Sequence, residues 1–241
     1  MKAVILAGGK GTRPHPFTAA LPKPLVPVGN WIILEVLLMQ LRTAGITDVT
    51  IAVNHLAHLI KSFCGDGKKW GLRISYSMED KPLGTVGPIK LIRDLPETFF
   101  VMNGDLLTDL NFLDLYSYHQ INESDITVAL YERQGQTDFG VVKVDAAGRI
   151  RGFQEKPVHS FCVSMGVYVM NRQLLDIVPD GIPFDFDDLM IACIEKKRKA
   201  ICYRHEGYWL DIDRPDDYAR SQQEIDDFLR RVLPEYAAEN L

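Results

Sequence analysis

Cysteine is scarce in this sequence. Cys64, Cys162, Cys193 and Cys202 are the only four, and no two are spaced as Cys-x-x-Cys. In a chain of 241 residues, so few scattered thiols exclude a disulfide framework and a zinc ribbon, and reduced, buried thiols are expected. Long apolar runs are also missing. No stretch approaches the ~20 residues of a membrane span, and the apolar opening at residues 1–7 is too short for a signal peptide before it meets glycines. A cytoplasmic protein with no membrane partner is expected. An excess of positive charge is absent as well, since 27 Lys and Arg face 32 Asp and Glu for a net charge of -5. Binding to nucleic acid needs clustered cations, so none is expected. The one basic run, Glu195-Lys196-Lys197-Arg198-Lys199, reads as the solvated end of a helix. No internal repeat, linker or low-complexity tract divides the chain. With 46% hydrophobic residues it can bury one large core, and residues 1–241 are read as a single domain. A homo-oligomer is left open.

The sequence does carry a regular alternation of patterns. Residues 2–7 form a short apolar run ended by glycines, as in a buried parallel strand. Residues 8–30 hold Pro14, Pro16, Pro22, Pro24 and Pro27 and cannot be helical; a loop of this length in a compact domain is usually functional. Helical patterns follow at 31–43, 56–63 and 86–94, between strand-like runs at 49–53, 72–77 and 99–102. This alternation implies βαβ units and an α/β, Rossmann-like mixed, mainly parallel sheet flanked by helices. After Asp125 strands dominate, at 126–131, 140–144, 150–154 and 163–170, and build a lid or pocket wall. Helices at 186–197 and 216–232 close the chain, with strands at 200–204 and 208–210.

Three constellations carry chemistry. Gly8-Gly9-Lys10-Gly11-Thr12-Arg13 follows the first strand directly. Glycines there let backbone N–H groups approach a phosphate chain. Arg13 adds a planar fork and Lys23 a mobile point charge. A dinucleotide fingerprint would need a third glycine near Pro14 and an acid where Asn54 stands, and a Walker loop would need Gly-Lys-Ser/Thr; neither is present. Asn103-Gly104-Asp105 ends an apolar strand, where open α/β sheets bind ligands; the plain alternative is a turn aspartate. Magnesium needs only one or two such carboxylates beside phosphate and water. Trp209-Leu210-Asp211-Ile212-Asp213 offers more acids. Asp213 can cap the helix that Pro215 begins, whereas Asp211 has no such local task. Phe153-Gln154-Glu155-Lys156-Pro157 closes a strand, where a Glu-Lys pair is ordinarily an exposed surface pair.

The combination Gly8-Gly9-Lys10-Gly11-Thr12-Arg13, Pro16-Phe17-Thr18 and Pro22-Lys23-Pro24-Leu25 strongly resembles the signature of the sugar-1-phosphate nucleotidyltransferases. Further motifs of that family recur in order to about Ser221. The resemblance implies that Leu6, Ala7, Gly8, Gly9, Gly11, Thr12, Arg13 and Lys23 bind a nucleoside triphosphate. Leu83-Gly84-Thr85-Val86-Gly87 resembles the loop touching the base, with Gly84 and Thr85 in contact, and Asn103, Gly104 and Asp105 complete that half. It implies a magnesium ion on Asp105 and Asp211. It also implies a sugar 1-phosphate at Gly140, Glu155, Lys156, Ser164 and Asp211, with Lys156 on the phosphate, Glu155 on sugar hydroxyls and Gly140 leaving room for the ring.

The implied reaction is attack of the sugar-phosphate oxygen on the nucleotide α-phosphorus, giving a nucleotide-sugar and pyrophosphate. Arg13, Lys23, Asp105, Lys156 and Asp211 are the expected catalytic set. A phosphate monoester is already anionic at neutral pH, so no general base is needed. The 83–88 loop is similar to the guanylyltransferase branch, which favours GTP with mannose 1-phosphate, a heptose phosphate or a related sugar; thymidylyl, uridylyl or cytidylyl transfer is the alternative. A glycosyltransferase using Asp211 and Asp213, and a regulatory nucleotide-sugar-binding protein without turnover, are the rivals. Three departures from the pattern are Pro14-His15, Trp31, and Ser164-Met165-Gly166 in place of Asn-Ala-Gly. His55 and His58 are read as surface or packing residues, His119, His159 and His205 have no partner that the sequence names, Met165 and Met170 are read as core, and Tyr218 as packing the last helix.

Overall fold

Alternate residues of the first strand enter different cores, which already requires a sheet covered on both faces. Ala3 and Ile5 pack into one apolar cluster and Val4 into another, all fully buried. The computed structural model describes residues 1–9 and 21–240. In chain order the elements begin with β1 (Lys2–Leu6), β2 (Pro27–Val28), β3 (Trp31–Ile32), α1 (Ile33–Thr43), β4 (Asp48–Val53), α2 (Ala57–Cys64), β5 (Arg73–Met78), α3 (Gly87–Lys90), β6 (Thr98–Asn103) and β7 (Leu106–Thr108). They continue with α4 (Phe112–Ile121), β8 (Ile126–Gln136), β9 (Val141–Val144), β10 (Ile150–Gln154), β11 (Val158–Asn171), α5 (Phe186–Glu195), β12 (Ala200–His205), β13 (Trp209–Asp211), α6 (Pro215–Val232) and α7 (Pro234–Asn240).

Seven strands form one sheet in the order β12-β8-β11-β6-β1-β4-β5. β5, β4, β1 and β6 are mutually parallel, and β12 is parallel to β8. β11 alone runs antiparallel, to β6 on one side and β8 on the other. The sheet is therefore mixed and mainly parallel, as the alternation implied. The chain moves from β1 outward to β4 and β5, then crosses back to place β6 on the other side of β1. That reversal opens a crevice at the carboxyl ends of β1 and β6, where sheets of this type bind ligands. One face of the sheet is covered by α1, α2, α4 and α6, the other by α3, α5 and the turn at 172–177. No helix among the described residues is long and apolar enough to cross a membrane.

Several boundaries differ from those expected. The 31–43 helix begins only at Ile33, because Trp31 and Ile32 pair with Pro27 and Val28. The 86–94 helix is a single short turn, Gly87–Lys90. α4 was not expected. β8 and β11 are longer than their buried halves: their outer parts, 130–136 and 158–164, pair as a solvent-exposed ribbon, and the β9–β10 hairpin lies between them in the chain. Of the cysteines, Cys64 and Cys193 are buried but Cys162 and Cys202 are exposed; all four are free. Burial pushes the Cys64 thiol up to about 12, so it is inert. The basic run 196–199 follows the end of α5 and is exposed, as a solvated helix end should be.

Candidate functional site

A cavity of about 500 Å³ opens at the carboxyl ends of the parallel strands. Leu6, Ala7, Gly8 and Gly9 reach it from β1, Ala52, Val53 and Asn54 from β4, Asn103 from the end of β6 and Asp105 from just beyond it. Gly8 is needed for more than ligand approach: a Cβ there would come within 3.3 Å of the Asn54 side chain, so the turn packs directly against the end of β4. Gly104 does not line the cavity. It is buried, and a Cβ would stand 3.0 Å from Pro24 and 3.1 Å from Ile5, so its role is to let the proline-rich arm lie against β1. Gly11, Thr12 and Arg13, with the rest of residues 10–20, lie outside the described residues.

The far wall is a stitched loop. Glu79 accepts hydrogen bonds from Asn54 Nδ2 at 2.6 Å and from the Leu83 N–H at 2.8 Å. Asp185, at the start of α5, accepts from the Thr85 N–H at 2.8 Å and from its hydroxyl at 3.0 Å. Asp185 also forms a capping box with Asp188, which fixes the helix start. Gly84 sits at φ +78°, and a side chain there would meet the Phe184 carbonyl, so only glycine fits this turn. Gly84, Thr85, Glu79 and Asp185 all line the cavity.

The floor concentrates charge. β7 and β13 pair so that Asp211 lies opposite Leu106, and the Ile212 N–H donates to the Asp105 carbonyl at 3.3 Å. This ribbon brings Asp105 and Asp211 together from distant parts of the chain. The Asp213 N–H donates to Asp211 Oδ1 at 3.0 Å. Asp213 does not cap α6, whose N-cap is Arg214 without a side-chain bond; instead its carboxylate pairs with the Lys23 ammonium. Burial first, then the Asp213 and Asp211 carboxylates, raise the Asp105 carboxyl to about 7, with Lys23 opposing. Lys23 is held by its arm: Tyr218 Oη and Gln222 Nε2 on α6 both donate to the Pro27 carbonyl, at 3.1 and 3.0 Å. Tyr218 thus anchors the arm rather than simply packing the helix.

A second cavity, of about 700 Å³, lies beyond this floor. It is lined by Tyr131, Arg133, Gln134, Phe161, Ser164, Trp209, Asp211 and Arg214, among others, and Asp213 borders both cavities. Ser164 is in place, but its hydroxyl already donates to Tyr168 Oη at 2.9 Å and accepts from the Gly166 N–H at 3.2 Å. Gly140, Glu155 and Lys156 line neither cavity. The space left at Gly140 is filled by the Phe153 ring, not left open for a sugar. Glu155 and Lys156 are exposed in the turn before β11, and Lys156 adopts a left-handed φ of 42°, unusual for a lysine.

The structure therefore gathers Leu6, Ala7, Gly8, Gly9, Lys23, Gly84, Thr85, Asn103, Asp105, Asp211 and Ser164 around two adjoining cavities, and leaves Gly104, Gly140, Glu155 and Lys156 outside them. Reading the sequence missed Glu79, Asp185, Arg133 and Asp217. The Asp185-to-Asp188 spacing was a visible cap signal; the others become neighbours only through folding. His55 and His58 are exposed, as expected. His119 is instead buried between Thr127 and Asn171, at 2.9 and 3.1 Å, and His205 bonds Asp109 at 2.9 Å. Met165 and Met170 are core residues.

Asp105, Asp211 and Asp213 share one floor, where Lys23 opposes the rise of the Asp105 carboxyl. Asp105 and Asp211, joined by the β7–β13 ribbon, offer two hard oxygen donors, as many carboxylates as a magnesium ion with open positions for phosphate takes.

Comparison with known proteins places this geometry in context. The model of the nucleotidyl transferase family matches residues 2–227. The mannose-1-phosphate guanyltransferase of Schizosaccharomyces pombe is 32% identical, over 99% of this chain and 68% of its own length. The mannose-1-phosphate guanylyltransferase catalytic subunit beta of Dictyostelium discoideum is 33% identical over the same shares. Across such relatives the chain spans 62% to 68% of their length. Among solved structures, HddC from Yersinia pseudotuberculosis complexed with GMP-PN superposes with a TM-score of 0.73 at 22% identity, over 93% of this chain and 99% of that one, a likeness of fold.

Proposed function

Because the chain belongs to the nucleotidyl transferase family, we propose that it joins a sugar 1-phosphate to a nucleoside triphosphate, giving a nucleotide-sugar and pyrophosphate. The observation that carries this reading is a pair of cavities that meet at a charged floor, with Asp213 on the shared wall. Nucleotide takes the first, between the β1 turn and the 83–87 loop, and sugar phosphate takes the second. Residues 1–241 act in this reading as one domain, which their continuous sheet supports.

The chemistry is a displacement at phosphorus. An oxygen of the sugar phosphate forms a bond to the α-phosphorus while the bond to the β-phosphate oxygen breaks, and pyrophosphate leaves with that electron pair. The nucleophile is already anionic, so the task is to bring polyanions together. Lys23 leaves Asp213 and turns to the α-phosphate. A magnesium ion on Asp105 and Asp211 would neutralise charge shared by the two phosphates. Arg13 takes the departing phosphates. Lys156 reaches the sugar phosphate only if its exposed turn moves over the second cavity.

Guanosine is the proposed base, and mannose 1-phosphate or a similar sugar the acceptor, on the names of the relatives. The chemistry of the wall supports this: Glu79 and Asp185 offer carboxylates, and guanine presents N–H donors, its 2-amino group among them. Cytoplasmic triphosphate is the fitting supply. A panel of four nucleoside triphosphates against sugar 1-phosphates, with pyrophosphate release measured at saturating magnesium, tests the proposal. Release with GTP and mannose 1-phosphate or a heptose phosphate is expected. Nucleotide binding with no release from any pair would leave a regulatory binding protein in its place.

A further inference from the structure

Arg133 has no part in the reaction described above, yet it is the less exposed of the two cations, Arg133 and Arg214, that line the second cavity. It reaches from β8 to the first turn of α6, and both guanidinium nitrogens engage Asp217: Nη1 donates to Oδ1 at 3.2 Å and Nη2 to Oδ2. The side chains retain only 18% and 9% of their exposure. The guanidinium lies over the Trp209 ring, 4.5 Å from its centre, and Trp209 is itself pinned by its Nε1–H donating to the Met165 carbonyl at 3.1 Å. On its other side Asp217 Oδ2 accepts the backbone N–H of Asp211 at 2.9 Å. Three separate elements, β8, β13 and α6, thus converge on the residue that carries a candidate metal carboxylate.

A bidentate ion pair this deeply placed is a poor stabiliser compared with apolar packing of the same volume, and an aspartate in a helix first turn is favourable without any arginine. Its distinguishing effects are local. It fixes the backbone at Asp211, and it neutralises a further carboxylate, whose Oδ2 lies 2.9 Å from the Asp211 backbone nitrogen. We propose that Arg133 and Asp217 are positioning residues that hold the Asp211 carboxylate for a divalent ion. The inference rests on the metal reading of the floor given above. Outer-shell partners of this kind orient ligands, and losing one weakens metal affinity by about 10–100-fold.

The test uses the full chain and a readout that needs no turnover: binding of Mn²⁺ to the unloaded protein, followed by the electron paramagnetic resonance of the free ion. Arg133→Met is expected to bind at least about tenfold more weakly. It should raise the magnesium concentration for half-maximal pyrophosphate release in parallel, while KM for the triphosphate stays within about twofold. Arg133→Lys keeps the charge but not the fork and should recover part of the loss. Mn²⁺ affinity within about twofold of wild type in a cooperatively melting Arg133→Met protein overturns the proposal, and so does a wild-type protein that binds no Mn²⁺. Should Arg133→Met not fold, Asp217→Asn decides by the same two thresholds, since it keeps an acceptor for the Asp211 N–H and loses only the charge. A wild-type protein that binds Mn²⁺ but releases no pyrophosphate removes the proposed reaction, and the binding measurements still judge the positioning role.

Discussion

Asp105 is held where its ionised form is disfavoured, by burial and by the carboxylates of Asp213 and Asp211. A carboxyl whose folded value rises from 3.8 to about 7 weakens the fold wherever the unfolded chain would be ionised and the folded one must be too. That cost is absent below 3.8, grows between the two values and is complete above 7. Asp105→Asn removes it. With solvent screening discounted, the gain at pH 8 is roughly 1–2 kcal/mol, or roughly 2–8 °C in melting temperature for a chain of this size. At pH 4 the two proteins should melt within a degree or so of one another, and turnover of the variant should fall by ~10²–10³. Thermal melts at the two pH values, taken without divalent ions, check the sign. Lys23 makes a companion case. Lys23→Ala should lose ~10²–10³ in turnover, and Asp213→Ala in that background should restore stability without restoring rate, as a double-mutant cycle of melts and rates will report. Lys23 and Asp105 were legible in the sequence because both sit in short motifs beside a strand end. The partner of Lys23 was not, because nothing local to Asp213 points 190 residues back along the chain.

At the scale of elements, the loop that walls the first cavity depends on the start of α5. Asp185 both caps that helix and holds Thr85, so one substitution loosens two pieces. Asp185→Ala should cost about 1 kcal/mol of stability and raise KM for the triphosphate several-fold while leaving kcat within about twofold, a split that steady-state kinetics reads directly. β1, β4 and β6 were legible because strands buried on both faces are nearly continuous apolar runs. α4 was not, since Leu113, Tyr118 and Ile121 face solvent and blur its periodicity. The outer part of β8 escaped for a related reason: residues 132–136 are Glu-Arg-Gln-Gly-Gln, so no apolar side chain marks the half-buried face. The expected helix at 86–94 is only Gly87–Lys90: its start is stitched to the Phe184 carbonyl by the Val86 and Gly87 N–H groups, a tertiary constraint invisible in the segment itself, and Leu91 and Ile92 then bond back three residues rather than four.

For the whole molecule, the reversal of strand order between β1 and β6 decides where any ligand must sit, and that was inferable once strands and helices were seen to alternate. The second cavity was harder to foresee. It depends on how β8 and β11 leave the sheet and on which side chains of β13 they meet; the resemblance pointed to Ser164 and Asp211, which line it, and to Gly140, Glu155 and Lys156, which do not, and it did not point to Arg133, Gln134 and Arg214. The pairing of β7 with β13 joins Asp105 to Asp211 only in the folded chain, so a divalent ion they take binds the native state alone. Magnesium at 100 times its dissociation constant should then add about 2.7 kcal/mol to unfolding, and Asp211→Asn should abolish most of the rise in melting temperature.

Asp213, the residue common to both cavities, has a kinetic consequence. While Asp213 holds the Lys23 ammonium, that cation is not free to receive an arriving phosphate monoester. Triphosphate entering first draws Lys23 away and lets the floor take up an ion. Encounter should therefore be sequential, with nucleotide leading. Initial-rate patterns will show intersecting lines, a dead-end sugar-phosphate analogue will compete only with its counterpart, and calorimetry will find little heat from sugar phosphate alone.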